Sequence, residues 1–448
     1  MKLPQTLLEV GTIVTMNSTH EIISDGAILL EGNRIKEITS QKTIKHFLGK
    51  KIEAKNLVAI PGFIQSHIHL CQTLFRGLAD DLQLLDWLQK KIMPLEFAHN
   101  EQSMYASAML GMAELIRSGT TTILDMGSIH YEEEIIRAIG ESGMRAYVGK
   151  AMMDVNDLYP KLKESRNDAI HSTRKLAELF HNAFNERVKY AAAPRFVLSC
   201  SEKLLREISE MISSYDGMLL HTHASENNNE IATVKKLYGK EHIEVLNSLG
   251  LLSEKSVLAH CVHVNEQEIS LLKKTKTNIA HCPSSNLKLA SGIANIPLYM
   301  KSGINVSLGA DGAPCNNNLN QFQEMKLAAL IQKPLHGSNS MPAETVFELA
   351  TINGAKALSL NKEIGSLEVG KKADIVLLNL NHVWNHCITN VHSLYSNIVY
   401  SSSPENVDSV MIDGKWILRK KKFVELDTEK IVDSGKRELK KLLKRCDV

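Results

Sequence analysis

The sequence predicts a (β/α)8 barrel together with a small β-sandwich domain formed from both ends of the chain. Three observations predict this fold class. Short apolar runs alternate with helix-like segments through the middle of the chain, these runs number eight, and the two ends share a different, strand-rich texture. Apolar strands that alternate with helices indicate a parallel sheet covered on both faces, and eight strand–helix units are what a closed barrel requires.

The apolar runs are the predicted barrel strands, and they lie at 63–67, 120–124, 145–152, 188–194, 217–223, 256–260, 277–281 and 304–309. Helix-like segments separate them, for example at 102–118, 131–142, 227–237 and 266–274. An open, doubly wound sheet is the alternative arrangement of such units. The chain has no Gly-x-Gly-x-x-Gly fingerprint after an early strand, which favours the barrel.

Both ends of the chain are predicted to form strands joined by turns. The predicted strands are 6–13, 26–31, 34–38, 373–380, 397–400, 409–412 and 415–418. Gly32 and Asn33 mark one turn, and Asp413-Gly414 is a strong signal for a two-residue hairpin. We therefore expect residues 1–60 to begin the small domain, 61–365 to form the barrel, and 366–448 to complete the small domain and add a C-terminal helix.

Composition excludes several classes of protein. The net charge of +2 gives no electrostatic case for nucleic acid or an anionic membrane as the main partner. Residues 1–13 lack the continuous apolar run of a secretion signal, and no stretch of the chain is long and apolar enough to span a bilayer. The seven cysteines are dispersed, which predicts free thiols and a cytoplasmic protein; they are Cys71, Cys200, Cys261, Cys282, Cys315, Cys387 and Cys446.

Ionisable side chains gather at the C-terminal ends of the predicted barrel strands. Active sites of such barrels lie at that rim, and burying these groups without partners costs several kcal/mol. Taken singly, each histidine can be a hydrogen-bonded core residue, and the aspartate can be a turn or helix-cap residue. Together, imidazoles and one carboxylate suit a zinc-type ion with a coordination position left for water. The residues concerned are His67, His69, His221, His223, His260, His281 and Asp311.

Glu226 follows His223 by three residues. A carboxylate at that position can stand beside the proposed metal site and carry protons as a general acid and base. The alternative is a surface glutamate that opens the helix at 227–237 and interacts with its dipole. The neighbouring histidines favour the catalytic interpretation.

Several motifs resemble the amidohydrolase superfamily, in its branch of nucleobase and triazine aminohydrolases, over essentially the whole chain. They lie at 61–69 (PGFIQSHIH), 223–226 (HASE), 259–261 (AHC), 281–286 (HCPSSN), 308–312 (LGADG) and 365–374 (GSLEVGKKAD). The resemblance implies the same barrel and β-sandwich, and one divalent metal ion, zinc before iron. It also implies a homo-oligomer, expected to be a dimer.

The same resemblance implies roles for individual residues. The metal ligands would be His67, His69, His223 and Asp311. Glu226 would shuttle protons, His260 would polarise water or substrate, and Asp311 would also take a proton from water. The dinuclear members carry a bridging carboxylate, commonly a modified lysine, at the end of the fourth strand. Here that strand ends in Ala193-Pro194-Arg195-Phe196, which favours a single metal ion.

Two sets of residues give different expectations for the substrate. Arg195, Phe196 and Gln72 resemble guanine deaminases, in which an arginine meets a ring carbonyl, an aromatic ring stacks on the base, and a glutamine reads its edge. The loop 311–318 and the segment 76–96 instead resemble deaminases of adenosine derivatives and triazine hydrolases. In the adenosine-type enzymes the glutamate that matches Glu96 would hold ribose hydroxyls.

The sequence-based prediction is a hydrolytic deaminase that converts guanine to xanthine and ammonia. His281 completes the predicted substrate-binding set of Gln72, Arg195, Phe196 and Glu96. Deamination of adenosine derivatives of the methylthioadenosine or S-adenosylhomocysteine type, and triazine hydrolysis, are the alternatives. An alternative of another class is a barrel that has lost its chemistry and serves as a scaffold, although every expected ligand is present.

Overall fold

The computed structural model describes residues 4–44, 47–385 and 388–446, and Cys387 lies outside these ranges. The described strands, in chain order, are β1 (Gln5–Val14), β2 (Ile22–Glu31), β3 (Arg34–Ser40), β4 (Lys50–Pro61), β5 (Phe63–His69), β6 (Thr120–Met126), β7 (Arg145–Gly149), β8 (Ala151–Met152), β9 (Val188–Pro194), β10 (Leu219–Ala224), β11 (Ser256–His260), β12 (Asn278–His281), β13 (Val306–Leu308), β14 (Asp311–Gly312), β15 (Ile375–Leu378), β16 (Val407–Ile412), β17 (Lys415–Arg419) and β18 (Lys422–Phe423).

The described helices are α1 (Leu84–Trp87), α2 (Met93–Phe97), α3 (Glu101–Arg117), α4 (Glu132–Ser142), α5 (Arg166–Phe180), α6 (Ala183–Glu186), α7 (Glu202–Ser214), α8 (Asn228–Tyr238), α9 (His242–Ser248), α10 (Glu266–Thr275), α11 (Pro283–Lys288), α12 (Ile296–Lys301), α13 (Ala313–Asn316), α14 (Gln321–Leu330), α15 (Lys333–His336), α16 (Ala343–Leu349), α17 (Ile352–Ala357), α18 (Val391–Ser396) and α19 (Thr428–Leu443). A π-helical segment, Leu88–Ile92, joins α1 to α2. No helix within the described ranges has both the length and the apolar character needed to cross a membrane.

Parallel strands from the middle of the chain form the barrel sheet, in the order β13-β12-β11-β10-β9-β7-β6-β5-β14. The eighth strand is split into two pieces. β13 pairs with β12, whereas β14 pairs with β5 and thereby closes the barrel, with Asp311 opposite Ile68. The predicted (β/α)8 barrel is confirmed, and each predicted apolar run contains a strand of the structure.

Gly309 lies at the break between the two pieces of the eighth strand. A Cβ atom at this position would lie 2.6 Å from the carbonyl oxygen of His67 and 2.9 Å from the His67 Cβ. Only glycine therefore permits the close approach of the last strand to the first. This approach brings Asp311 to the strand end that carries the first two histidines.

The two chain ends meet in a second sheet with the order β18-β17-β16-β15-β4-β1-β2-β3. β4 joins the two halves, because it pairs with β1 on one side and with β15 on the other. The predicted hairpin at Asp413-Gly414 is present, and both residues adopt positive φ angles, 51° and 75°. A small β domain from both ends of the chain is thus confirmed.

The strand predicted at 397–400 is wrong. These residues form a π-helical segment, Asn397–Ser401, that continues α18. The Asn390 side chain caps α18 by accepting a hydrogen bond from the amide of Ser393, and Ile398 and Val399 are fully buried. A short run with β-branched residues predicts a strand by local preference alone, but here the upstream cap and tertiary burial favour helix.

The C-terminal helix predicted for the last part of the chain is present as α19. Its Leu442 is fully buried in a cluster with Leu74, Phe75 and Leu95, which belong to the segments that follow the first barrel strand. Five cysteines within the described ranges are buried free thiols: Cys71, Cys200, Cys261, Cys282 and Cys315.

Candidate metal centre and active site

The histidines of β5 lie at the C-terminal end of the first barrel strand. Strand alternation places His67 and His69 on one face, with ring centroids 4.9 Å apart. Nδ1 of His69 donates to the carbonyl of Met126 at 2.9 Å, so its Nε2 carries a lone pair. Nδ1 of His67 lies 2.8 Å from Nε2 of His221. The Nε2 atoms of His67 and His69 are 3.2 and 3.4 Å from Oδ1 of Asp311.

His223, on β10, adds a third imidazole. Its Nδ1 donates to the carbonyl of Arg195 at 2.7 Å, and its Nε2 lies 3.3 Å from Nε2 of His69. The Nδ1 atoms of His69 and His223 are both donors. In the neutral rings their Nε2 atoms therefore carry lone pairs, and these lone pairs face each other. This contact is repulsive unless a cation lies close to both nitrogens. The donor set therefore fits a metal ion.

Burial keeps these three imidazoles neutral, which is the form that binds a metal. It lowers the pKa of His69 to about 3, and it also lowers the pKa values of His67 and His223. Burial alone would raise the pKa of Asp311, but the hydrogen bond with His67 and the nearby charge of His260 hold it well below its usual range.

Local backbone geometry positions Asp311. Its φ of 61° lies in the left-handed region, which is uncommon for a residue other than glycine and is frequent at functional sites. The amide of Gly312 donates to Oδ1 at 2.8 Å, and the hydroxyl of Ser285 donates to Oδ2 at 2.6 Å. These bonds fix the carboxylate beside the histidines.

His260, at the end of β11, also reaches the cluster. One ligand atom from each of His67, His223, His260 and Asp311 can be chosen so that all lie within 4.8 Å of one another, so these four groups could hold a metal ion. The predicted ligand set shares three of them and has His69 as the fourth. Five side chains therefore converge at this point of the rim.

The protonation of His260 differs from that of the other imidazoles. Its Nδ1 donates to Oδ1 of Asn286 at 2.8 Å, and its Nε2 lies 3.6 Å from Glu226 and 3.8 Å from Asp311. Burial lowers its pKa, but the charges of Glu226 and Asp311 outweigh burial and the net pKa is raised. The carboxylates of Glu226 and Asp311 thus favour the protonated form of His260, in contrast to the other three imidazoles.

Glu226 is buried at the same rim, where the sequence predicts a proton carrier. Burial raises its pKa to about 7, against the opposing charge of His260. Its backbone amide donates to Glu230 at 2.9 Å, and Ser291 Oγ donates to its Oε1 at 3.4 Å. A carboxyl group with a pKa near neutrality can both give and accept a proton.

A second buried network borders the cavity that His69, His223 and Glu226 line, and Arg195 and Gln72 are its members in the cavity lining. The guanidinium of Arg195 donates to both carboxylate oxygens of Glu96, at 2.6 and 3.1 Å, and Gln72 Nε2 donates to Glu96 Oε1 at 2.8 Å. All three side chains are nine-tenths or more buried. Three of the five residues that the sequence predicts to bind substrate thus contact one another, with Glu96 at the centre.

This network changes the expected role of Arg195. The sequence-based prediction has its guanidinium meeting a ring carbonyl of guanine, but the structure directs that guanidinium to Glu96. Phe196 lines the cavity as predicted for a stacking residue. His281, also predicted to bind substrate, is fully buried but does not line this cavity.

The cavity also contains residues that sequence reasoning did not single out. Leu84, Leu88, Leu289 and Glu230 line it together with Trp87. Glu230 has a sequence signal, because it lies three residues after Asn227 in a capping box at the start of α8. Leu84 and Leu88 lie in the segment 76–96 that carries the resemblance to adenosine-type deaminases, but an apolar residue in a helical pattern is more often part of a core, and Leu289 has no signal.

Comparison with known proteins identifies the family. The chain belongs to the amidohydrolase family, whose family model matches residues 58–417. The 5'-deoxyadenosine deaminase of Methanosphaera stadtmanae is 40% identical over 415 residues, which are 92% of this chain and 94% of that protein. The 5-methylthioadenosine/S-adenosylhomocysteine deaminase of Syntrophomonas wolfei is 36% identical over 443 residues, 98% of this chain and 99% of that protein.

Solved structures agree on the fold. An adenosine deaminase from Xanthomonas campestris with bound zinc superimposes with a TM-score of 0.92 and 26% identity, and the match covers 99% of both chains. The E. coli guanine deaminase superimposes with a TM-score of 0.82 and 28% identity, and the match covers 93% of this chain and 100% of that one. The predicted amidohydrolase family and a hydrolytic deaminase reaction are therefore confirmed. The relatives favour the predicted alternative, adenosine derivatives, over guanine.

Proposed function

We propose that this protein is a zinc-dependent hydrolytic deaminase of adenosine-type nucleosides, which it converts to the 6-oxo nucleoside and ammonia. The observation that carries the proposal is the contact of the buried Glu96 carboxylate with Arg195 and Gln72, which both line the cavity beside the histidine cluster. A carboxylate held by Arg195 and Gln72 keeps lone pairs free for hydrogen-bond donors. The vicinal hydroxyls of a ribose are two such donors, and guanine has no ribose.

The metal ligands in this proposal are His67, His69, His223 and Asp311. Three imidazoles and one carboxylate suit zinc, and a divalent ion bound there supplies the Lewis acidity that lowers the pKa of water. The zinc in the structural relative from Xanthomonas campestris supports this choice of metal. The fourth strand ends in Ala193-Pro194-Arg195-Phe196, which contains no lysine or acid that could bridge two metal ions, and this supports a single ion.

The chain's own residues move the protons. Glu226, with a pKa raised to about 7, gives a proton to the ring nitrogen next to the carbon that carries the amino group. Asp311 accepts a proton from the attacking water, and the positive charge of His260 stabilises the oxygen that becomes negative. Water adds to the carbon, the C–N bond breaks, and the amine leaves as ammonia with the transferred protons.

An ammonia-release assay on the zinc-loaded protein tests the proposal. The panel is adenosine, 5'-deoxyadenosine, 5'-methylthioadenosine, 2',3'-dideoxyadenosine, guanine and an aminotriazine. We expect release from the ribonucleosides, and at least tenfold lower kcat/KM for guanine and the triazine. Guanine as the best substrate would restore the sequence-based prediction and overturn the proposal.

Glu96→Gln separates ribose recognition from other effects. Losing charge-assisted hydrogen bonds costs about 1.5–3 kcal/mol, which lowers kcat/KM for adenosine by roughly 10- to 100-fold. The loss should be much smaller with 2',3'-dideoxyadenosine, which has no hydroxyls for the carboxylate. Glu133→Gln, an exposed change in α4, is the matched control. Equal losses with both substrates would contradict a ribose contact.

A further inference from the structure

A buried acid lies near the candidate metal centre without lining the cavity. Glu324, in the first turn of α14, is fully buried. Burial raises its pKa to about 7, and the hydrogen bonds that it accepts from Ser284 and Asn316 oppose this rise. An ionisable group is costly to bury unless it is hydrogen-bonded, so these partners indicate what the carboxylate does.

The partners of Glu324 come from two segments that follow different barrel strands. Ser284, in α11 after the seventh strand, donates to the carboxylate through its amide, at 3.2 Å, and through its hydroxyl. Asn316, in α13 after the eighth strand, donates to Oε1 at 2.9 Å. All three side chains are nine-tenths or more buried. The carboxylate therefore ties the segment after the seventh strand to the segment after the eighth.

Both of these segments also hold Asp311. Ser285, which is adjacent to Ser284, donates to Oδ2 of Asp311 at 2.6 Å. The side-chain amide of Asn316 donates to the carbonyl of Ala310, the residue before Asp311, at 2.7 Å. One buried carboxylate thus anchors a contact to the side chain of Asp311 and a contact to the backbone that precedes it.

Asp311 needs this support because its backbone is strained. Its φ of 61° is unfavourable for a residue with a side chain, and such a conformation persists only where the surroundings hold it. The hydrogen bond from Asn316 limits rotation of the peptide group between Ala310 and Asp311. Without Glu324, Asn316 and Ser284 would lose the partner that fixes them, and the Asp311 carboxylate could turn.

We propose that Glu324 is a positioning residue of this site, which holds Ser285 and Asn316 so that the Asp311 carboxylate keeps the orientation that the reaction requires. This inference rests on the proposed function, because it assigns the group that orients the proton acceptor of that reaction. Glu324 does not line the cavity, so it should affect turnover and metal binding and not the affinity for substrate.

The first test is the steady-state kinetics of Glu324→Gln on adenosine with zinc in excess. Glutamine keeps the size of the side chain, but its amide group places a donor against the donors of Ser284 and Asn316. Because a small displacement of a reacting group is costly, we expect kcat to fall by about 10- to 100-fold while KM stays within about twofold. Glu429→Gln, an exposed change in the first turn of α19, is the matched control.

The zinc dissociation constant gives a readout that does not depend on activity. Asp311 is one of the predicted ligands, and loss of a residue that orients a ligand typically weakens metal binding by about 10- to 100-fold. Competition with a chelator should therefore show a rise of about tenfold or more for Glu324→Gln and no rise for the control. A smaller rise, a smaller loss of kcat, or an increase in KM as large as the loss of kcat overturns the inference.

A triple variant tests the route by which Glu324 acts. Ser285→Ala and Asn316→Ala together remove both contacts between its partners and the Asp311 segment. Adding Glu324→Gln to this pair should lower kcat by less than about threefold, since no contact is left to break. A larger further loss would show that Glu324 acts by another route and would also overturn the inference.

Two provisions keep the outcomes distinct. If Glu324→Gln does not fold, Glu324→Asp takes its place with the same thresholds, because it keeps the charge but withdraws it from Ser284 and Asn316. Wild-type protein that is inactive on every nucleoside would refute the proposed function. The zinc dissociation constants would still test whether Glu324 positions Asp311, so the two failures can be told apart.

Discussion

The guanidinium of Arg195 and the carboxylate of Glu96 form a buried, two-pronged ion pair, with Nη1–Oε2 and Nη2–Oε1 distances of 2.6 and 3.1 Å. The two residues are 99 positions apart in the chain, one at the end of the fourth barrel strand and one in α2. Because each charge compensates the other, neither residue can be interpreted alone. Arg195 is best described as the residue that positions Glu96.

The effects of Arg195 and Glu96 on the free energy of unfolding should be strongly coupled. Arg195→Met leaves a buried carboxylate without its cation, and Glu96→Gln leaves a buried guanidinium, so each change should cost about 3–5 kcal/mol. The double variant buries neither charge and should be less destabilised than the sum of the two by more than about 1 kcal/mol. Urea unfolding of the four proteins measures the coupling. If the loss of stability in the double variant equals the sum of the two single losses, the ion pair contributes no coupling energy.

Metal content should distinguish His69 from His260. His69→Ala removes an Nε2 lone pair that faces His223, so we expect loss of bound zinc after dialysis and loss of activity together. His260→Ala should retain zinc and lower kcat, because the Nε2 of this ring lies 3.6 Å from Glu226 and 3.8 Å from Asp311, the groups that move the protons in the proposed reaction. Elemental analysis and steady-state kinetics give the two readouts. The reverse pattern would make His260 the fourth ligand; the exposed His171→Ala is the control.

Glu226→Gln should abolish proton transfer while leaving the site assembled. General acid–base groups typically contribute 10²- to 10⁴-fold, so we expect kcat to fall by about that amount with bound zinc unchanged. Ser291→Ala removes only a 3.4 Å hydrogen bond to Glu226 and should cost less than tenfold. A Gln variant that keeps more than a tenth of the wild-type kcat would remove Glu226 from the mechanism.

Acid should destabilise the protein partly through His99. Burial lowers its pKa to about 4, against the hydrogen bond to the carbonyl of Cys71, so the folded state binds fewer protons than the unfolded state between pH 6.5 and 4. The contribution of neutral His99 to the free energy of unfolding is thus complete at neutral pH and is lost as the pH falls. From pH 7 to pH 5 the loss is about 2 kcal/mol.

His99→Gln should remove that part of the pH dependence, because an amide can still donate to the Cys71 carbonyl but does not titrate. The measurement is the free energy of unfolding at pH 5 and pH 7 with zinc in excess, compared with wild type. His171→Gln, at an exposed position, should leave the pH dependence unchanged. An equal pH dependence in the His99 variant and wild type would contradict the assignment.

Much of the architecture can be predicted because local sequence patterns indicate it. The period and length of the apolar runs predict the barrel strands, and Asp413-Gly414 predicts its hairpin. The strand-end position of His67, His69 and His223 predicts a rim site, since parallel strands present their carboxyl ends on one side. Local pattern fails at 397–400, where burial of a helix overrides the preference of β-branched residues for strands.

The sequence alone determined the fold class, the family and the convergence of histidines with Asp311. Only the tertiary structure decided what the predicted substrate residues do. Read singly, Arg195 is free to bind a purine carbonyl; folded, its charge is compensated by Glu96, which Gln72 also holds. The physical reason is that Coulomb attraction is strong at short distance in a low-dielectric interior, so a buried charge pairs with the nearest opposite charge. That proximity depends on how the helical segment after the first strand packs over the barrel rim, which no local pattern in the chain specifies.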